Sequence, residues 1–595
     1  MPIYKAPVEE ALFLLEDVFA QDLGQHSQAF SGLTIDDMRA VLTQAARLGE
    51  DVLQPLNLPG DRQGCTRDAD GNVTTPKGFK EAYKLYAQGG WIGLAADPTY
   101  GGQGLPYTLA SIVNEYMGAA NMAFTMYPGL TQSAIATISQ HASEALKRLY
   151  LPRLISGEWC GTMNLTEPHC GTDLGLLKTK AVPREDGSYA ITGQKIFISA
   201  GEHDLAENIV HLVLARIEGA PPGTAGISLF IAPKRLPDED GAAGARNAIS
   251  CGAIERKMGI HANATCVMNY DGATGFLIGA ENHGLSAMFL MMNEARLGVA
   301  NQGLAISEVA YQNAAAYAQT RLQGRALSGA KAPKSPADPI IVHADVRRML
   351  LDISAFNQAA RALLIWATLM ADVAQRGEDA QERERASGIV SLLTPVLKGV
   401  LTDYGFANAV KAQQVFGGHG YIVDAGMEQF VRDARIAMIY EGANGVQALD
   451  LVGRKLQKDG GRALRNVLDD IRIFISENAS NAALAPCLGP LEESLGRLKQ
   501  ATLWLMRNAP TKSDDAAAAA HDYMHLFGLV ALAYMWARIA RAALLRKARA
   551  PAPRMDAKLD LARYFMARIL PETGAHLARI VSGAEVLTTL PDEAF

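Results

Sequence analysis

Gly161-Thr-Met-Asn-Leu-Thr-Glu-Pro-His-Cys-Gly-Thr-Asp-Leu-Gly175 is where the chain changes its pattern. Pro168 and Gly171 stop a regular strand soon after Glu167. Thr166 and Thr172 offer hydroxyls, and Gly171 lets backbone amides come close to a ligand. Two readings follow from the stretch alone: a polar turn closing a barrel, or a loop that wraps a flat or phosphate-bearing ligand. It matches neither a dinucleotide-binding glycine fingerprint nor a Walker loop.

Before this stretch, apolar residues recur every three or four positions, as in DDMRAVLTQAARLGEDVL and SEALKRLYLPRLISG, which predicts helices. The exception is GGWIGLAADPTYGGQGLP (89–106), a long loop. After it, short runs rich in β-branched residues alternate with Gly, Asn and Asp turns. From about 285 the helical period returns in long runs joined by short loops, the pattern of a bundle. A Gly pair near 460–461 reads as a linker, and the remainder predicts four or five further helices, one of them started and capped by Ser513.

The expected class is therefore α+β. A helical domain spans 1–160, a central β-barrel-like domain 161–284, a four-helix bundle 285–460 and an additional helical domain 465–595. The length of 595 residues suits three or four domains at ~100–200 residues each.

Composition excludes several function classes. The net charge is −6, with no basic stripe for nucleic acid. Six cysteines stand apart, at 65, 160, 170, 251, 266 and 487, with no C-x-x-C pair, which predicts reduced thiols and no metal site. The amino terminus has no basic-then-apolar run of a secretory signal, so the expected location is cytoplasmic. LFGLVALAYMW (526–536) is too short to span a bilayer and reads as a buried core helix, so no membrane span is expected.

Four further stretches could carry chemistry. Gly193–Gly201 (GQKIFISAG) predicts a strand whose end carries Phe197 and Ser199, either plain core or a platform for a flat ring. Arg321-Leu-Gln-Gly-Arg325 breaks a helical run, and arginine's fork of donors suits phosphate, although a surface arginine is the simpler reading. Gln413–Tyr421 (QQVFGGHGY) places three glycines in four positions, a turn with open amides. Glu441 stands before Gly442 at the end of an apolar helical run, where it could cap, turn or act.

Taken together, in this order, these features resemble the acyl-CoA dehydrogenase family. The resemblance rests on Leu165-TEPHCGTD, Lys195-IFIS, Met292-NEAR, Arg321-LQG, Gln414-VFGGHG and Ile439-YEGAN, and the tail resembles the extra helical domain of the larger members. It implies non-covalent FAD and an acyl-CoA substrate oxidised to the trans-2-enoyl thioester. It also implies an electron-transferring flavoprotein as acceptor and a homodimer. Leu165, Thr166, Gly171, Thr172, Phe197 and Ser199 would then line the flavin or pyrophosphate. Arg321 and Gln323 would reach the cofactor of a neighbouring subunit, with Gln414, Gly417 and Gly418 around its adenosine. Asn293 and Arg296 would face CoA, and Tyr440 and Gly442 the acyl chain.

By the same resemblance Glu441 is the catalytic base. A thioester α-proton is weakly acidic, and a poorly solvated carboxylate is the stronger base. Some members carry the base directly before the arginine matching Arg296, but that position is Ala295 here. Glu294 lies one residue off, about 100° around the helix, and is expected to be a solvated or ion-paired acid. The resemblance leaves two alternatives: an oxidase using oxygen, or a silent assembly protein on the same fold. A nitroalkane-type oxidase would carry Asp where Glu441 stands.

Overall fold

The computed structural model describes residues 2–26, 30–549 and 553–595. The chain folds into two compact units that do not follow chain order. One contains residues 47–106 and 120–298, the other 1–46, 107–119 and 299–595.

In the first unit the β-branched runs become a ring of strands. Tyr189–Ser199 pairs antiparallel with Thr265–Ile278, which pairs with Ile227–Pro233, and that strand pairs with Asn208–Ile217. Lys180–Pro183 closes the circuit between Asn208–Ile217 and Tyr189–Ser199. This closure gives the barrel-like form read from the sequence and leaves few free edges. Ile249–Ile254 and Trp159–Asn164 extend the sheet. Inward residues such as Ile191, Val213, Phe230, Cys266 and Tyr270 form its core.

The helical pattern before residue 160 holds, with one addition. Thr66–Arg67 and Val73–Thr74 form a two-stranded hairpin, too short to leave a period-2 signal. The stretch 89–106 is a loop with a single 3-10 turn, Pro98–Tyr100.

The second unit is helical. Ala344–Arg376 and Ala380–Val415 pack with each other and with Ser513–Arg549 of the tail, and Gly284–Thr320 (its part from Val299) packs on Ala380–Val415. Glycines set how closely they approach. A Cβ on Gly405 would stand 2.5 Å from the Gly303 carbonyl oxygen, and one on Gly399 would stand 2.3 Å from Met524 Sδ. The 526–536 run is buried inside Ser513–Arg549. That helix and Ala380–Val415 are long and apolar enough to cross a membrane, yet 83% and 72% of their most apolar windows are buried. Ser513 is the first helical residue rather than the flanking cap, and Asp514 and Asp515 in the first turn favour the positive end of the helix dipole.

Candidate active site

In the barrel unit, the strand Trp159–Asn164 ends and the chain turns back on itself. Glu167 and Cys170 exchange two backbone hydrogen bonds, of 2.9 and 3.1 Å. Beneath this turn the Glu167 carboxylate is a staple rather than a reactive acid. It accepts from Lys178 N at 2.8 Å, Thr179 Oγ1 at 2.6 Å and Lys195 Nζ at 2.9 Å. Lys195 also donates to the Leu165 carbonyl at 2.9 Å. Burial lowers the Lys195 ammonium to about 8 against the pull of Glu167, so it remains charged at neutral pH. Burial would raise the Glu167 carboxyl, but Lys195 and Thr179 outweigh it and hold it below its usual range.

This staple ties the Thr166 loop to the strand carrying Phe197. Ile196 N donates to Thr166 O at 2.9 Å, and Gly171 lies alongside Thr166. The pairing of Tyr189–Ser199 with Thr265–Ile278 slips here, so that Ile196 and Phe197 together face one partner residue. A bulge of this kind re-aims a side chain. Phe197 takes φ +59°, which is unusual for a bulky residue, and the residue is 60% exposed. It is therefore not core. Thr166 and Ser199 are half-buried and Gly171 and Thr172 exposed beside it. Backbone strain of this kind persists only where surrounding structure imposes it.

Asn293 and Arg296 share one helix face, and Arg296 is buried. Glu294 departs from expectation. Although part of its surface remains accessible, burial pushes its carboxyl up to about 8, and no cation pairs with it among the described residues.

In the helical unit, Glu441 follows a 3-10 turn, Ile436–Met438, and precedes the helix Asn444–Asp450. Its φ is +56°, which makes it, like Phe197, one of six non-glycine residues in the left-handed region among the described residues, and it is followed by Gly442 at +84°. Two side chains, Lys398 and Gln447, hold this backbone directly. Lys398 Nζ donates to Gly442 O at 2.8 Å and Asn444 Oδ1 at 2.7 Å. Gln447 Nε2 donates to Glu441 O and Gly442 O, each at 3.1 Å. Tyr440 OH donates to Gln302, and burial keeps that phenol protonated. Glu441 itself is half-buried.

Elsewhere in this unit, Tyr317 stacks on Phe416 at 4.1 Å and its hydroxyl meets His419 Nδ1 at 2.8 Å. That contact ties the end of Gly284–Thr320 to the glycine turn. Gly417 has φ +59° and open space where a Cβ would project, and Gly418 is equally open, whereas Gly420 is packed against Gln413 O. Gln414, Gly417 and Gly418 are at least partly exposed, as are Arg321 and Gln323. The Arg321 loop is pinned by Asp338, whose carboxylate accepts the amides of Ala326, Lys331 and Ala332 and so stays well below its usual range.

Sequence reading does not single out Lys398, Gln447, Gln302 or the Glu167–Lys195 pair as structural supports. A lysine within an apolar helical run, as at Lys398, is the one available signal.

Comparison with known proteins places these features. The acyl-CoA dehydrogenase N-terminal, middle and C-terminal domain models match residues 65–158, 162–273 and 282–456, and an acetyl-CoA dehydrogenase C-terminal-like model matches 467–591. The chain belongs to the acyl-CoA dehydrogenase family, oxidoreductases that use FAD. It is 40% identical over 588 residues to the 3-methylmercaptopropionyl-CoA dehydrogenase of Ruegeria pomeroyi, covering 98% of this chain and 99% of that protein. It is 35% identical to the broad-specificity linear acyl-CoA dehydrogenase FadE5 of Mycobacterium tuberculosis, over 81% of this chain and 80% of that one. Among solved structures, butyryl-CoA dehydrogenase from Megasphaera elsdenii superposes with a TM-score of 0.59 at 26% identity, covering 72% of this chain and 99% of that one. Caenorhabditis elegans ACDH-11 shares the fold over 95% of this chain and 91% of its own, with a TM-score of 0.76 at 19% identity.

The residues present fit FAD. An exposed, strained aromatic beside a threonine-bearing loop suits a flat ring, and the open Gly417–Gly418 backbone offers a cradle that side chains would fill.

Proposed function

We propose that Glu441 is the base of an acyl-CoA dehydrogenase reaction, removing the α-proton of a saturated acyl-CoA. The observation that carries this reading is the left-handed turn at Glu441, held by Lys398 and Gln447 through its own backbone. Those bonds occupy carbonyl groups of the turn, and Glu441 stands half-buried; a carboxylate acts as the general base for a weakly acidic α-proton when it is held close to it. The Glu441 N–H serves as a donor to the thioester oxygen as enolate charge develops. FAD supplies the acceptor for the hydride that leaves Cβ.

Thr166, Phe197 and Ser199 would hold the flavin ring, with Leu165, Gly171 and Thr172 shaping the loop around it. Gln414, Gly417 and Gly418 would hold adenosine, and Arg321 and Gln323 the pyrophosphate of a second subunit's cofactor in a homodimer. Asn293 and Arg296 would face CoA, and Tyr440 and Gly442 the acyl chain. The fourfold division at 160, 284 and 460, with a four-helix bundle before the tail, and a cytoplasmic location belong to the same reading. The electron acceptor is an electron-transferring flavoprotein.

The thioether 3-methylmercaptopropionyl-CoA is the first substrate to test, because the relative named for it matches nearly end to end. A dye-coupled screen of acyl-CoAs should show turnover with it or with a short linear chain. Glu441→Gln should keep the yellow cofactor and lose turnover by about 10²–10⁴-fold, the usual range for a positioned base. Normal turnover in that variant would remove Glu441 from the role.

A further inference from the structure

The additional helical segment reaches the Glu441 loop through one carboxylate. Asp403, on Ala380–Val415, has two oxygens with two different partners. Oδ1 accepts from Asn444 Nδ2 at 2.7 Å, three residues after Glu441. Oδ2 faces His525 Nε2 at 2.9 Å, and His525 belongs to Ser513–Arg549 of the tail. Because the partner is a carboxylate, Nε2 is the nitrogen that carries the proton.

Both ends of this link are tightly seated. Asn444 is buried, and its amide nitrogen also lies 2.9 Å from Thr402 Oγ1 while its oxygen accepts from Lys398 at 2.7 Å. Lys398 in turn holds the Gly442 carbonyl. His525 is 7% exposed. Its ring stacks on His576 at 5.6 Å and 19°, and lies against Tyr404 and His521. His576 is itself oriented by Asp522 at 2.7 Å. The tail therefore presents a fixed imidazole to Asp403, and a fixed carboxylate fixes Asn444.

The helix that Asn444 opens has no side-chain cap from Ala443. The left-handed backbone at Glu441 and Gly442 is a conformation that surrounding contacts must impose. Asn444 and Lys398 are among those contacts, and Asp403, with the Gly399 carbonyl at 3.1 Å, Thr402 and Lys398, orients Asn444.

We propose that His525 is a positioning residue for catalysis: through Asp403 and Asn444, the C-terminal helical segment holds the Glu441 loop in its working geometry. This deepens the reading of Glu441 as the base and rests on it.

The test compares full-length, FAD-loaded protein carrying H525M, H525Q or E441Q. Met fills the volume of the imidazole and keeps the helix, and Gln can place an amide donor near Nε2. H525M is expected to lower kcat at least tenfold while FAD content, KM and the melting temperature stay near those of the parent. H525Q is expected to recover most of that loss, which a merely structural role would not predict. If folded H525M keeps kcat within twofold, or if H525Q is no better than H525M, the proposal is overturned. E441Q separates the two readings: an inactive E441Q with a normal H525M defeats only the positioning role, whereas an active E441Q defeats the base assignment and this inference with it.

Discussion

At the scale of single residues, Phe197, Glu441 and Glu294 bear most on the site. Phe197 and Glu441 adopt left-handed backbones, and the Glu294 carboxyl is desolvated. The last makes a prediction with a definite sign. Its carboxyl binds a proton more tightly when folded, with a value of about 8, than when unfolded near 4.5. Stability from this site is therefore fully present below about 4.5 and is lost as pH rises through 8. Glu294→Gln should raise the melting temperature by at least ~2 °C at pH 9 and leave it nearly unchanged at pH 4.5. Equal shifts at both pH values would show that Glu294 does not titrate in the folded protein in this way.

Among elements, glycine spacing decides how the helices meet. Gly303 and Gly405 bring two backbones together with no room for a methyl group, since either Cβ would press on main-chain atoms of the other helix. Gly405→Ala should cost about 1–3 kcal/mol through overpacking, read as a lower denaturation midpoint with an unchanged slope. No change in midpoint would mean that the helices can separate freely at this contact. In the barrel, the Glu167–Lys195 staple does comparable work for a loop. Along the sequence Glu167 is only one member of a motif, and the structure explains its presence by four hydrogen bonds from three residues.

At the level of the whole chain, the helical unit is assembled from three separated segments, 1–46, 107–119 and 299–595. A buried charge network joins two of them. Arg361 Nη2 lies 2.6 Å from Glu115 Oε1 and 3.0 Å from Glu308 Oε2, and all three side chains are less than a tenth exposed. Removing one partner from such a group leaves charge without compensation. Glu115→Leu should therefore destabilise the unit by about 3–5 kcal/mol, measured by denaturant unfolding. A loss below ~1 kcal/mol would show that water or another acid takes over.

The sequence by itself determined the order of helical and β segments, because hydrophobic period is local and survives without tertiary contacts. It also determined family membership, since TEPHCGTD, GGHG and YEGAN are contiguous and each keeps its residue types at fixed spacing. The 66–74 hairpin escaped because two-residue strands carry no period. Tertiary structure alone decided that Phe197 stands exposed on a bulge, that Glu294 is desolvated rather than paired, and that Asp403 joins His525 to Asn444. Burial, strain and hydrogen bonding between distant residues depend on which segments meet in space, and no local pattern along the chain records that.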